Sequence, residues 1–340
     1  MSITRRAFIS SSLALPCLPL TGAPAQSPVY IGDMHFHSFF GTSRSHSRPV
    51  ADTLKAGPAT LVSWAISGDG PWIARIARGW GQKSVPQPGE TYAYFERQIG
   101  LIKSHCAEQK LKLVRGPADV DLALRGEPHV VLAVEGAVFV ESDIGRLKAA
   151  YDLGVRHIQL VHFIRNTIGD FQTEPPQHNG LTELGKRVVA ECNRLGILVD
   201  LAHCTDAAVN DALAVSKRPI VWSHSSVTAS AEPHWSQVAW RARQLRLPAA
   251  KAIAAKGGVV GLWALRQDVG DTPAAYADRL AGLADLIGEG NAAIGTDING
   301  LGRNGVLNSY ADVALVIQHW RDRKMLPARL QKLAIGNFAR

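Results

Sequence analysis

Short apolar runs and longer amphipathic segments alternate along this chain from residue 29 to its end. The strand-like runs are Val29–His35, Thr60–Ile66, Val130–Glu135, His157–His162, Ile197–His203, Pro219–His224, Gly258–Trp263 and Ala292–Asp297. Between most of them lie segments with helical character: Thr91–Glu108, Ser142–Leu153, Asp206–Ser216, Pro248–Ala255 and Ala274–Ile287. A further helix is bounded by Thr182 as cap and Gly196 as stop, with Leu184, Val188, Cys192 and Leu195 repeating at helical spacing. Strand–helix alternation means parallel strands with crossover helices, and eight such units predict closure into a (β/α)8 TIM barrel. The short run Leu111–Val114 has no place in that count. Two long polar connections, Phe39–Pro58 and Ser225–Leu247, read as functional loops, because structureless segments of that length are otherwise uncommon in a compact domain.

The runs are unusual in how they stop. Six of them end in a residue that can bind a metal or move a proton: Val29–Ile31 leads into Asp33-Met34-His35-Phe36-His37, and five others end at Glu135, His162, His203, His224 and Asp297. Buried strands are normally apolar at their ends. A repeated switch to His, Glu or Asp there collects polar side chains on the C-terminal rim, where a parallel barrel keeps its active site. His35 and His37 are two apart on a strand, so both imidazoles face the barrel interior. Imidazole suits zinc and related divalent ions. Glu135 follows a run with no other charge and needs a cation if it is buried; alone it reads equally well as a surface residue at a loop start. His203 and His224 end consecutive strands and are neighbours in a barrel. Singly, each is a common hydrogen-bonded core histidine. Together the five suit two metals, with Glu135 as the bridge.

Composition narrows the class. The chain has 340 residues, enough for one barrel, and 46% of them are hydrophobic. The formal charge of +8 is spread rather than clustered, which predicts no nucleic-acid partner and leaves a general preference for anionic substrates or envelope surfaces. The N-terminus carries Thr4-Arg5-Arg6-Ala7-Phe8-Ile9, then the mostly apolar Ser11–Leu20 and the small-residue site Ala23-Pro24-Ala25. That order predicts a twin-arginine export signal over residues 1–25, read by the export machinery, with residues 26–340 as one barrel domain in the periplasm or outside the cell. The apolar part falls far short of the ~18 residues that span a bilayer, so no stable membrane span is expected. Cys106, Cys192 and Cys204 remain after the signal. Their odd number and spacing make neither a disulfide set nor a zinc finger, and small buried thiols are the expected reading.

At this point the sequence resembles the membrane (renal) dipeptidase family of the amidohydrolase superfamily. The resemblance covers about residue 31 to the C-terminus, with a poorly matching stretch around Phe39–Leu101. Its most specific part is Gly180–Ser226, containing Gly-Leu-Thr-Glu-Leu-Gly-Lys-Arg-Val-Val, then Asn193 to His203, then Arg218-Pro219-Ile220-Val221-Trp222-Ser223-His224-Ser225-Ser226. Ala133-Val134-Glu135-Gly136, Gly295-Thr296-Asp297 and Gly336-Asn337-Phe338 match as well. The resemblance implies two zinc ions per chain, bridged by Glu135, the first bound by His35 and the second by His203 and His224. It implies that His162 faces the scissile carbonyl and that Asp297 handles the proton. It further implies that Arg243 holds the substrate carboxylate, with Arg241 as a competitor in the same loop.

Three positions depart from the family. Its usual His-Asn-Asp on the first strand is His35-Phe36-His37, its Asn after the carbonyl-facing histidine is Phe163, and the second acid of its Asp-x-Asp-Gly is Asn299. An imidazole in place of a carboxylate makes the metal pair one charge more positive, which favours zinc over harder ions and lowers the pKa of a bridging water. The expected function is a secreted binuclear zinc hydrolase that cleaves dipeptides with a metal-bridging hydroxide. Amide or lactone hydrolysis on the same barrel is the alternative, since fold does not fix substrate. A non-catalytic barrel binding envelope ligands is a third reading; loss of a ligand or of Asp297 would favour it, and none is lost. A homodimer is compatible with the sequence.

Overall fold

A computed structural model of the chain describes residues 28–38, 49–77 and 79–340. The export signal expected over residues 1–25 lies outside the described residues, as do residues 39–48 of the first long connection. Eight parallel strands run in sequence order around one sheet: β1 (Ile31–Phe36), β2 (Ala59–Ser67), β3 (His129–Glu135), β4 (Val155–Gln159), β5 (Leu198–Asp200), β6 (Val221–Ser225), β7 (Val259–Leu262) and β8 (Ala292–Ile294). Strands β2 and β3 are buried along their whole length, as their near-continuous apolar sequences require in a sheet covered on both faces. The outer layer is α1 (Val50–Lys55), α2 (Glu90–Glu108), α3 (Pro117–Leu124), α4 (Gly145–Leu153), α5 (Glu183–Leu195), α6 (Asp206–Val215), α7 (Leu247–Ala255), α8 (Pro273–Ile287) and α9 (Tyr310–Asp322). Helix α5 starts where the Thr182 side chain accepts from the Gly185 amide and stops at Gly196 in the left-handed region, φ 76°. No helix among the described residues is long and apolar enough to cross a membrane.

The ring closes between β8 and β1. Asp297 N donates to His35 O at 3.0 Å and His37 N to Ile298 O at 3.0 Å. Asp33 clasps the seam: its carboxylate accepts from Thr296 N at 2.9 Å, Thr296 Oγ1 at 2.6 Å and Tyr310 Oη at 2.9 Å. Beside the seam the interior is tight. A Cβ on Gly261 or on Gly295 would lie 1.9 Å from Ser223 O, so only glycine lets β6, β7 and the end of β8 converge under the rim.

Three expectations change in detail. Pairing in β4, β5 and β8 stops at Gln159, Asp200 and Ile294, so His162, His203 and Asp297 stand three residues past their strands rather than on them. Leu111–Val114 does find a place, because Lys112–Leu113 pairs in parallel with the start of β3 outside the ring. The connection from residue 225 to 247 is not structureless: Val227–Thr228 pairs with Leu245–Arg246, and a turn and the short helix Ala239–Ala242 lie between. Cys106, Cys192 and Cys204 are buried and free, and burial pushes the first two thiols up to about 12.

Candidate metal centre

Glu135 stands at the middle of the C-terminal rim, at the last residue of β3. Its Oε1 lies 3.6 Å from His35 Nε2, 3.5 Å from His203 Nε2, 3.5 Å from His224 Nε2 and 3.3 Å from His162 Nε2. Its Oε2 lies 3.5 Å from His37 Nε2. The donor atoms fall into two triads that share the glutamate, His35–His37–Glu135 and Glu135–His203–His224, each within 4.8 Å. The fold therefore brings together all five residues that the sequence marks as ligands. All five are buried.

The electrostatics of the cluster suit a cation. Burial first, and then mutual repulsion with neighbouring His and Arg groups, holds His35, His203 and His224 well below the ordinary imidazole range. Burial likewise brings His37 down to about 3, against a raising hydrogen bond to Ala65 O. Four neutral imidazoles thus turn lone pairs toward one carboxylate. His35 Nε2 lies 3.1 Å from His37 Nε2, and His203 Nε2 lies 3.3 Å from His224 Nε2. Glu135 Oε2 is buried without a hydrogen-bond partner among the described residues. A buried carboxylate in that position is costly unless a cation completes it. The donor set fits divalent ions that accept nitrogen and carboxylate oxygen together, zinc foremost.

Further polar groups surround the pair. Asp297 Oδ1 is 3.6 Å from His37 Nε2, and its Oδ2 is 3.7 Å from an Arg243 nitrogen. Burial raises Asp297 to about 7, opposed by the Arg243 charge. Both His203 and Asp297 hold left-handed backbone, φ 70° and 55°, a costly conformation for such residues that the surrounding structure imposes. Arg243 lies 3.1 Å from His203 Nε2, and its guanidinium sits 4.7 Å from the Trp263 ring and 5.6 Å from Phe163. Phe163, one of the three departures, thus backs that arginine. Arg241 is exposed and lies against Trp240, so of the two arginines Arg243 is the one beside the triads. Asn299, another departure, donates to His37 O at 2.6 Å and supports the first strand from outside the triad.

Sequence reasoning missed Asp69. Its Oδ1 is 2.7 Å from His162 Nδ1, and its Oδ2 accepts from Phe163 N at 3.0 Å. Burial works against a charged His162, but the Asp69 and Glu135 carboxylates outweigh it and raise its pKa. Asp69 reaches this place because Gly68 N bonds Glu135 O at 2.7 Å, and a Cβ on Gly68 would lie 2.3 Å from Gly136 O. Ser223 was missed too: its Oγ lies 2.8 Å from His224 Nδ1 and 3.5 Å from His35 Nδ1. A signal for Asp69 existed, since it follows an apolar strand by two residues on the same rim.

Residues 73–340 match the family model described as membrane dipeptidase, peptidase family M19. The chain belongs to the membrane dipeptidase family. Curated members similar to it include dipeptidase verJ of Clonostachys rogersoniana, 31% identical over 197 residues, 56% of this chain and 49% of that protein. Dipeptidase 3 of Homo sapiens is 26% identical over 257 residues, 72% of this chain and 50% of that protein. The chain spans about half the length of the curated family members it matches. Among solved structures, a metallopeptidase from Rhodobacter sphaeroides, liganded with a phosphinate mimic of the dipeptide L-Ala-D-Ala, has TM-score 0.72 at 21% identity and covers 92% of this chain and 97% of its own. The probable dipeptidase PvdM from Pseudomonas aeruginosa has TM-score 0.74 at 16% identity, with 92% and 94% covered. These two share the barrel fold with this chain.

Proposed function

We propose that this protein hydrolyses the peptide bond of dipeptides at a centre holding two zinc ions. The observation that carries the reading is the pair of triads sharing Glu135. Membership of the membrane dipeptidase family supports the substrate class, as do the names of the curated relatives. His35 and His37 would hold one ion, His203 and His224 the other, and Glu135 both. When bound, such ions polarise a carbonyl and bring the pKa of water from ~15.7 to near 7. The chain's own residues do the rest. Asp297, buried beside His37 and Arg243, takes a proton from the attacking water and returns it to the leaving amine. His162, oriented through Nδ1 by Asp69, presents Nε2 to the oxygen that gains charge. Arg243, stacked on Trp263, pairs with the substrate carboxylate. The export signal over residues 1–25 would place this activity outside the cytoplasm; changing Arg5 and Arg6 to Lys is then expected to trap precursor inside, and normal export of that variant would count against it.

The two roles separate experimentally. Asp297→Asn keeps size and polarity but removes the proton acceptor, so the expected loss is at least ~10²-fold in kcat. Arg243→Ala acts through KM on a free dipeptide and much less on the same compound with an amidated C-terminus. Turnover at wild-type rate in Asp297→Asn refutes the proton role. Equal weakening of both substrates by Arg243→Ala refutes carboxylate recognition.

A further inference from the structure

One cavity adjoins the metal centre without being part of it. It holds about 260 Å³, and His37 forms part of its wall. Trp64, Ile66, Ile73, Trp80 and Tyr94 supply an aromatic and aliphatic wall, and Ser67 and Gln98 add polar groups to it. The rings are fixed from behind. Tyr94 meets Trp72 edge to face with centroids 5.8 Å apart, and the Arg75 guanidinium lies 4.7 Å from the Trp80 ring. An apolar cavity of ~150 Å³ already admits benzene, so a space of this size accepts a benzyl or indolyl group. The family match begins at residue 73, and part of this wall, from His37 to Ile66, lies ahead of it.

The arrangement around Asp297 says which end of a dipeptide faces the cavity. Arg243 approaches its Oδ2 and lies 3.1 Å from His203, on the side of the second triad. His37 approaches its Oδ1 from the side of the first. A substrate whose carboxylate pairs with Arg243 therefore extends its amino-terminal residue toward His37 and the cavity behind it. We infer that this cavity receives the side chain of the amino-terminal residue and selects an aromatic one. The inference rests on the dipeptide reading above.

The test compares kcat/KM of the zinc-loaded full chain on Phe-Ala, Ala-Phe and Ala-Ala. Phe-Ala is expected to exceed Ala-Ala by at least ~10-fold, the discrimination a hydrophobic pocket commonly gives, with no such gain for Ala-Phe. Ile73→Trp fills the cavity and should collapse the Phe-Ala to Ala-Ala ratio toward one. Should that variant fail to fold, Trp80→Ala removes one aromatic wall from the partly exposed side and should lower the same ratio. Equal efficiency on Phe-Ala and Ala-Ala, or a ratio unmoved in whichever variant folds, overturns the cavity's role while leaving the dipeptide reading intact. No hydrolysis of any of the three overturns both.

Discussion

The two halves of the proposed metal centre share Glu135 but are built differently. His35 lies on β1 and His37 directly after it, at the seam where Asp33, Thr296 and Tyr310 lock the barrel. His37 Nδ1 is further held by Ala65 O at 3.0 Å. In the other half, His224 lies within β6 and is steadied by Ser223, but His203 stands three residues past β5 in left-handed backbone. Its Nδ1 is buried without a hydrogen-bond partner among the described residues. A ligand on a strand takes its direction from the sheet. A ligand on a loop takes its direction from local strain, and here no acceptor fixes its ring. Outer contacts to metal-bound imidazoles ordinarily hold their tautomer and orientation, so the second half is the weaker by construction.

The strongest way to break this comparison is to remove what both halves share. Glu135→Gln leaves the size of the side chain but not its charge, and both triads lose their anion together. Hydrolysis is expected to fall by at least ~10³-fold, with both ions lost. Retention of one ion at full occupancy would mean that the halves bind independently. A second test sharpens the asymmetry. Under a graded chelator the ion held by His203 and His224 should leave first, at ~10–100-fold lower chelator concentration than the other. Cobalt substituted into the protein makes the order visible in its absorption spectrum, and His203→Ala should abolish the early step alone. Simultaneous loss of both ions contradicts the asymmetry.

The smallest expected effect concerns acidity in the metal-free protein. The four neutral imidazoles bind protons in the unfolded chain below about 6.5 but not in the folded one, so they make stability fall as pH drops through that value. Asp33, Glu135, Asp268, Asp297 and His162 have raised pKa values and work the other way, because the folded chain holds their protons longer. His37, at about 3 in the folded chain, is the imidazole whose share can be isolated. His37→Asn in the chelated protein is expected to lessen the loss of stability on acidification by about 1.4 kcal/mol per pH unit between about 6 and 4, read from denaturant unfolding. A slope unchanged by that substitution would contradict the neutral assignment.

Much of this centre was legible in the sequence because its strands announce themselves. The two-residue spacing of His35 and His37 needs only one strand to put both rings on one side, and Glu135 ends a strand as read. His162, His203 and Asp297 were assigned to the correct rim but to the wrong element. Burial continues past the last paired residue through Leu160-Val161, Leu201-Ala202 and Thr296, so the apolar run outlasts the hydrogen-bond ladder. Nothing local marked Asp69 as the partner of His162. The two are 93 positions apart, and only the close approach of Gly68 to Gly136 joins them. The left-handed backbone of His203 and Asp297 was equally invisible, because it is imposed by tertiary contacts rather than by residue type. Part of the cavity's wall lies ahead of residue 73, where the family match begins, and its residues meet only in the fold.

The central claim is that one buried glutamate unites two metal sites, and counting metal tests it most directly. Elemental analysis of freshly purified, dialysed protein should give about two zinc ions per chain, and about none in Glu135→Gln. One ion or none in a preparation that cleaves dipeptides at full rate would contradict the account.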